Sequence, residues 1–172
     1  MKKLTTRGFA ALASLGLVAG ALSAAPAQAA DVTIKVVTEE FACFALMGPK
    51  ARTILSKATD YDLSHANFPF MHSREITIAG TKVRATRLTY VGELGWEIYA
   101  PVADGKKVWE ALIAAGTGEG LMPCGYRAIE SLRLEKGFRA WAGEINTETN
   151  PIEAGLGFAV SKKKEKFIGK DA

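Results

Sequence analysis

The sequence predicts an α+β fold: an antiparallel sheet with helices on one face. Two patterns and one bound support this. The elements read in the order β-β-α-β-β-β-α-α, so strands follow one another instead of alternating strictly with helices. Ala79-Gly80-Thr81 joins two β-like runs as a short hairpin connection. The composition, 48% hydrophobic and 23% charged over 172 residues, is that of a globular chain. Such a chain buries a core without disulfides or a structural metal. Together these suggest a sheet-and-helix arrangement of the ferredoxin-like kind.

Element by element, Val32–Val37 is β-branched and reads as a strand or its lead-in. Phe41–Met47 is an unbroken apolar run, a buried strand, and Gly48-Pro49 ends it. Ala51, Ile54, Leu55 and Ala58 recur at helical spacing, which predicts a helix over Pro49–Ala58. A polar, aromatic loop, Asp60–Ser73, precedes the hairpin strands Glu75–Ile78 and Lys82–Leu88. Val83, Ala85 and Arg87 share one face of the second strand and Arg84, Thr86 and Leu88 the other, so its buried face stays open. After the turn Tyr90–Gly95 comes a strand, Trp96–Tyr99. Asp104 is placed to cap a helix running to Ala115, striped by Val108, Trp109, Leu112 and Ile113. The loop Gly116–Gly125 leads to a third helix, Tyr126–Lys136, closed by Gly137. Beyond it, Asn150-Pro151 marks a turn and Ile152–Val160 a short strand.

Residues 1–29 have the pattern of a secretory leader: Lys2, Lys3 and Arg7, an apolar run from Phe9 to Leu22, and Ala27-Gln28-Ala29 as a cleavage signature. Removing them takes away three positive charges and lowers the net charge from +4 to +1. The basic balance therefore belongs to the leader, and nucleic-acid binding loses its electrostatic basis. The same cleavage leaves no membrane-bound segment, and the apolar run is short for a full span. Two cysteines, Cys43 and Cys124, exclude a disulfide-dense scaffold, and two histidines, His65 and His72, exclude a three-histidine zinc site. No GxSxG elbow, phosphate loop or dinucleotide fingerprint is present.

The informative stretch for chemistry is Tyr90-Val91-Gly92-Glu93-Leu94-Gly95-Trp96-Glu97. Its glycines permit a tight turn that projects Glu93, while Glu97 lies further along the next strand. A carboxylate so held offers two acceptor oxygens to a ligand with two adjacent N–H donors, such as an aminopyrimidinone edge or a guanidinium. Tyr90 and Trp96 are candidates for flat surfaces beside a ring. A hairpin with a surface glutamate explains the same residues. On the third helix, Arg127, Glu130 and Arg133 are spaced as local helix-surface pairs.

Phe44–Arg52, Tyr90–Glu97, Glu130–Gly137 and Pro151–Leu156, in that order, resemble the aminomethyltransferase (glycine-cleavage T-protein) superfamily. They are most similar to the folate-binding portion of dimethylglycine and sarcosine dehydrogenases. The likeness runs from about Thr38 to Ala172. It implies a tetrahydrofolate cofactor, methylene transfer to it in one-carbon metabolism, and a pterin bound by Glu93 with Tyr90 beside it. The family's catalytic aspartate lies upstream of this region and has no counterpart here, so no catalytic residue is assigned. The arginine that faces the ligand in glycine-cleavage proteins maps to Ile129, and no flavin-binding segment is present.

Residues 1–29 are thus expected to be the leader, 30–137 a folate-binding-type α+β domain, and 138–172 the start of a β-rich segment cut mid-element. The main functional reading is the tetrahydrofolate-binding portion of such a protein, incomplete as an enzyme, whose partner is the missing half of a larger protein. The alternative is an exported, non-catalytic module binding a small ligand or partner, and a misjoined gene would explain both oddities. The leader implies a periplasmic or secreted product; the resemblance implies the cytoplasm or mitochondrial matrix.

Overall fold

A computed structural model describes residues 4–5 and 33–170, so most of the expected leader lies outside the described residues. The chain forms two units, Met1–Phe41 and Ala42–Ala172. In the first, β1 (Leu4–Thr5) pairs antiparallel with β2 (Thr33–Ile34), shorter than the strand expected over Val32–Val37. A turn follows, with the Glu40 N–H donating to the Val37 carbonyl at 2.9 Å.

The second unit is a four-stranded sheet of order β3-β6-β5-β4, built from β3 (Phe41–Met47), β4 (Ser73–Ile78), β5 (Thr81–Thr86) and β6 (Gly95–Pro101). Helices α1 (Ala51–Ala58) and α2 (Val102–Gly116) pack on it and on each other, and α3 (Tyr126–Glu135) follows. This is the expected antiparallel α+β arrangement. The β4–β5 hairpin turns at Ala79-Gly80 and registers Ile76 with Val83 and Ile78 with Thr81. Its open question is settled: Thr81, Val83 and Ala85 are buried, and Lys82 and Arg84 are exposed. Alternation carries that inner face across β6 as Trp96, Ile98 and Ala100 and into β3 as Leu46. Val108 and Leu112 of α2 and Ile54 and Leu55 of α1 close over it.

The Asp60–Ser73 loop covers one end of this core. Phe68 is wholly buried and meets both Tyr61 and Trp96 edge to face, at 5.8 and 6.0 Å between ring centroids. Arg87 lies over the Trp96 ring and donates to the Phe68 carbonyl at 2.7 Å. Glu119 ties the end of α2 to α1 through Lys50 and Lys57.

Three local expectations are corrected. The N-cap of α2 is Pro101, without a side-chain cap, and Asp104 sits inside the first turn, where it favours the helix dipole. The first helix starts at Ala51 rather than Pro49, because Gly48 and Pro49 form the turn out of β3. Ile152–Val160 is no strand: it holds turns and a 3-10 turn, Gly157–Ala159. Asn150 instead caps a single turn, its Oδ1 accepting from the Ile152 and Glu153 N–H groups while Glu153 accepts from the Asn150 N–H. That reciprocal pair is a capping box with Pro151 at the first position, and pairing with a strand is lost to it.

Candidate functional site

The turn between β5 and β6 is fixed at both ends. On entry, Thr89 Oγ1 accepts from the Val91 N–H at 3.2 Å, and Val91 is buried. On exit, the Gly48 N–H donates to the Leu94 carbonyl at 2.8 Å, so the turn hangs on the end of β3. Gly95 lies against Met47 and the Leu46 carbonyl so closely that no Cβ fits. Between them Gly92 has φ +74°, a left-handed conformation that favours glycine. The stem of Lys136 occupies the space a side chain at Gly92 would take.

Lys136 reaches that place because α3 ends in a Schellman motif. The Gly137 N–H donates to the Leu134 carbonyl and the Phe138 N–H to the Arg133 carbonyl, each at 2.9 Å, with Gly137 at φ +70°. The chain then reverses, and Phe138 stacks on Tyr90 with ring centroids 6.3 Å apart and planes 9° from parallel. The Tyr90 hydroxyl donates to the Arg139 carbonyl at 2.9 Å. The Arg139 side chain in turn donates through Nε to the Ala154 carbonyl at 2.7 Å, lying across Gly155. Three separated motifs therefore meet at one joint.

Glu93 stands on this joint, its side chain 43% exposed, with Oε1 3.6 Å from Lys136 Nζ. Among the described residues no hydrogen-bond donor of the chain takes either oxygen. Tyr90 is beside it in the turn, as expected, but as a strut: its hydroxyl and ring are both engaged. Trp96, expected to offer a flat ring, is instead fully buried in the core between Phe68 and Arg87. It shares the inner face with Ile98 and Ala100, so it presents no surface to a ligand. Glu97 points to the opposite face of the sheet and accepts from the Tyr99 hydroxyl at 2.7 Å. That bond, before burial, pushes the Tyr99 hydroxyl above its ordinary range. Cys43, on the same outer face, is also raised, chiefly by burial. Both cysteines are free.

The Glu130–Arg133 pair expected on α3 forms, but Arg133 is not at the surface as that spacing suggested: it is the one buried residue of α3. It donates to the Phe138 carbonyl at 2.9 Å, to both oxygens of Glu144 at 2.8 Å, and to Glu130. These partners hold its guanidinium above the ordinary range. The Ala140 N–H first, and Arg133 next, bring the Glu144 carboxyl down to about 2. Neither Arg133 nor Glu144 points at Glu93; they fix the reversal that carries Phe138 and Arg139. Among the described residues no cluster of three or more metal-ligating side chains exists. An apolar cavity of about 340 Å³ lies between β3, α2, Leu121–Cys124 and α3, with Val91 and Ile129 in its wall.

The sequence pattern of the GCVT N-terminal domain matches residues 2–164. Over 143 residues, 83% of this chain, there is 44% identity to the mitochondrial dimethylglycine dehydrogenase of Mus musculus, of which 16% is covered. Over 136 residues, 78% of this chain, there is 43% identity to the mitochondrial sarcosine dehydrogenase of Homo sapiens, of which 15% is covered. The aminomethyltransferase of Listeria welshimeri is 46% identical over 143 residues, 83% of this chain and 38% of that protein. The chain therefore spans about a sixth of these dehydrogenases and under two fifths of that aminomethyltransferase.

Proposed function

The chain belongs to the GCVT N-terminal domain family, and from that premise we propose that it is the tetrahydrofolate-binding portion of an aminomethyltransferase or dimethylglycine/sarcosine dehydrogenase-type protein. One observation carries the reading: Glu93 is held half-exposed on a doubly anchored turn, and among the described residues its carboxylate has no hydrogen-bond donor, only the Lys136 ammonium 3.6 Å from Oε1. The residues suit the group. A pterin presents a ring N–H and an amino group side by side, and a fixed carboxylate accepts such a pair. Glu93 would hold it and Tyr90 would keep Glu93 in position by bracing the turn on Arg139. When bound, tetrahydrofolate supplies a nitrogen nucleophile for the one-carbon unit. An exported, non-catalytic module is the second reading, favoured by the Ala27-Gln28-Ala29 pattern.

Calorimetric titration with tetrahydrofolate tests the first reading. Glu93→Gln keeps the shape but sets a donor against the pterin's donors. Losing a charge-assisted pair this way costs about 1.5–3 kcal/mol, or roughly ten- to a hundredfold in affinity. Glu97→Gln should leave affinity unchanged, because that side chain serves Tyr99 on the outer face. Equal affinities for wild type and Glu93→Gln would remove Glu93 from the site. A wild type that binds no folate would favour the second reading.

A further inference from the structure

The ion pair on the turn is a loose one. Lys136 Nζ lies 3.6 Å from Glu93 Oε1, beyond the roughly 2.7–3.2 Å of a hydrogen bond. Among the described residues the ammonium has no other carboxylate within salt-bridge distance, so its N–H groups stay uncommitted. Both side chains are nearly half exposed, 45% for Lys136 and 43% for Glu93, and a ligand reaches them from solvent.

The backbone, more than the pair, sets the place of that ammonium. Lys136 is the C-cap of α3, and Gly137, at φ +70°, turns the chain away directly after it. The Lys136 stem lies on Gly92, in the space a side chain would take there. Glu93 follows Gly92 in the chain, so one close approach brings both charged groups together.

Their order decides what they fit. Oε1 is the oxygen nearer the ammonium. Taken in turn, Oε2, Oε1 and Nζ offer acceptor, acceptor and donor. An aminopyrimidinone edge presents the complement: an amino N–H, a ring N–H and a ring carbonyl. A guanidinium presents donors only and brings a positive charge against the ammonium. The carboxylate alone accepts either class; the carboxylate with Lys136 beside it selects the first. It also disfavours a ring with an amino group in place of the carbonyl, because two donors then face each other.

We propose that Lys136 is a specificity-determining residue of the Glu93 site. Its ammonium takes the ring carbonyl of a pterin whose two N–H donors Glu93 accepts, so the pair selects an oxo-substituted ring. This rests on the folate reading of Glu93 and adds to it a second residue and the ring position that residue reads.

The test uses the full chain and two ligands. One is tetrahydrofolate; the other carries an amino group in place of the ring carbonyl, with the tail unchanged. Titration calorimetry reads both affinities. Lys136→Met keeps an unbranched stem over Gly92 and removes the charged donor. It should weaken tetrahydrofolate binding by about tenfold or more and leave the amino counterpart bound no more weakly. Support of the turn alone, or attraction for the shared anionic tail, would move both ligands together. Equal losses, or no loss for tetrahydrofolate, would overturn the proposal; the folate reading would still stand if Glu93→Gln weakened tetrahydrofolate. A wild type that binds neither ligand would overturn both. Should Lys136→Met fail to fold, the wild type decides: an at least roughly tenfold preference for tetrahydrofolate is expected, and equal affinities would overturn the assignment.

Discussion

Gly92→Ala tests what holds Glu93 in place. At φ +74° an L residue costs about 1–2 kcal/mol. The new Cβ also lands on the Lys136 stem, which must swing aside. That gives up the Lys136–Glu93 pair, 3.6 Å long and nearly half exposed on both sides, worth about 0.2–1 kcal/mol. The expected loss is therefore about 1–3 kcal/mol, most of it backbone strain. Lys136→Ala removes both the obstructing stem and the pair with Glu93, so in that background Gly92→Ala should cost only the backbone share. The double-mutant cycle should then show a coupling of about 0.2–1 kcal/mol. Urea unfolding followed by far-ultraviolet circular dichroism measures all four proteins. A Gly92→Ala variant as stable as wild type would refute the left-handed assignment. Strict additivity would refute the contact with Lys136.

Arg133→Met should lower the urea midpoint, because it strips the Phe138 carbonyl of its donor and leaves Glu130 and Glu144 facing each other without their shared cation; an unchanged midpoint would refute the bridging role. Glu144 carries a pH dependence of known sign. Its carboxyl is held down to about 2, so its contribution is present above the ordinary carboxylate value of about 4.3 and is lost as pH falls toward 2. Wild type should lose stability more steeply than Glu144→Gln over that window, and parallel acid profiles would refute the assignment. Expression of the whole chain should yield an exported product beginning at Ala30, seen by mass spectrometry of cell fractions; a full-length cytosolic product would refute the leader.

The parts of the fold that were legible are those set by neighbours in the chain. Phe41–Met47 was readable as a strand because its apolar run is bounded by Gly48-Pro49, but not as the exposed edge strand it is, and the hairpin was readable from the short connection Ala79-Gly80-Thr81, of which Thr81 already pairs with Ile78. Asp104 misled because N-cap preference is a local propensity, whereas the end of β6 runs straight through Pro101 into α2. The buried face of β5 could not be chosen from its own residues. It is chosen by Trp96 and Ile98 across the ladder and by the Phe68 loop that closes over them.

The site divides along the same line. Trp96 could have been placed from the sequence, since Trp96, Ile98 and Ala100 alternate as an apolar set and Glu97 and Tyr99 as the polar one. Arg133 could not: the Glu130 spacing reads as an ordinary helix-surface pair, and Glu144, eleven residues on, lies outside any periodic pattern. What the separated motifs share is only visible once they meet. Tyr90 binds the Arg139 carbonyl, Arg139 binds the Ala154 carbonyl, and Lys136 lies over Gly92 toward Glu93. Through these contacts Glu135-Lys136-Gly137 and Pro151–Leu156 meet the turn that carries Glu93. They are the abutments of the turn, and the orientation of Glu93 depends on all of them together.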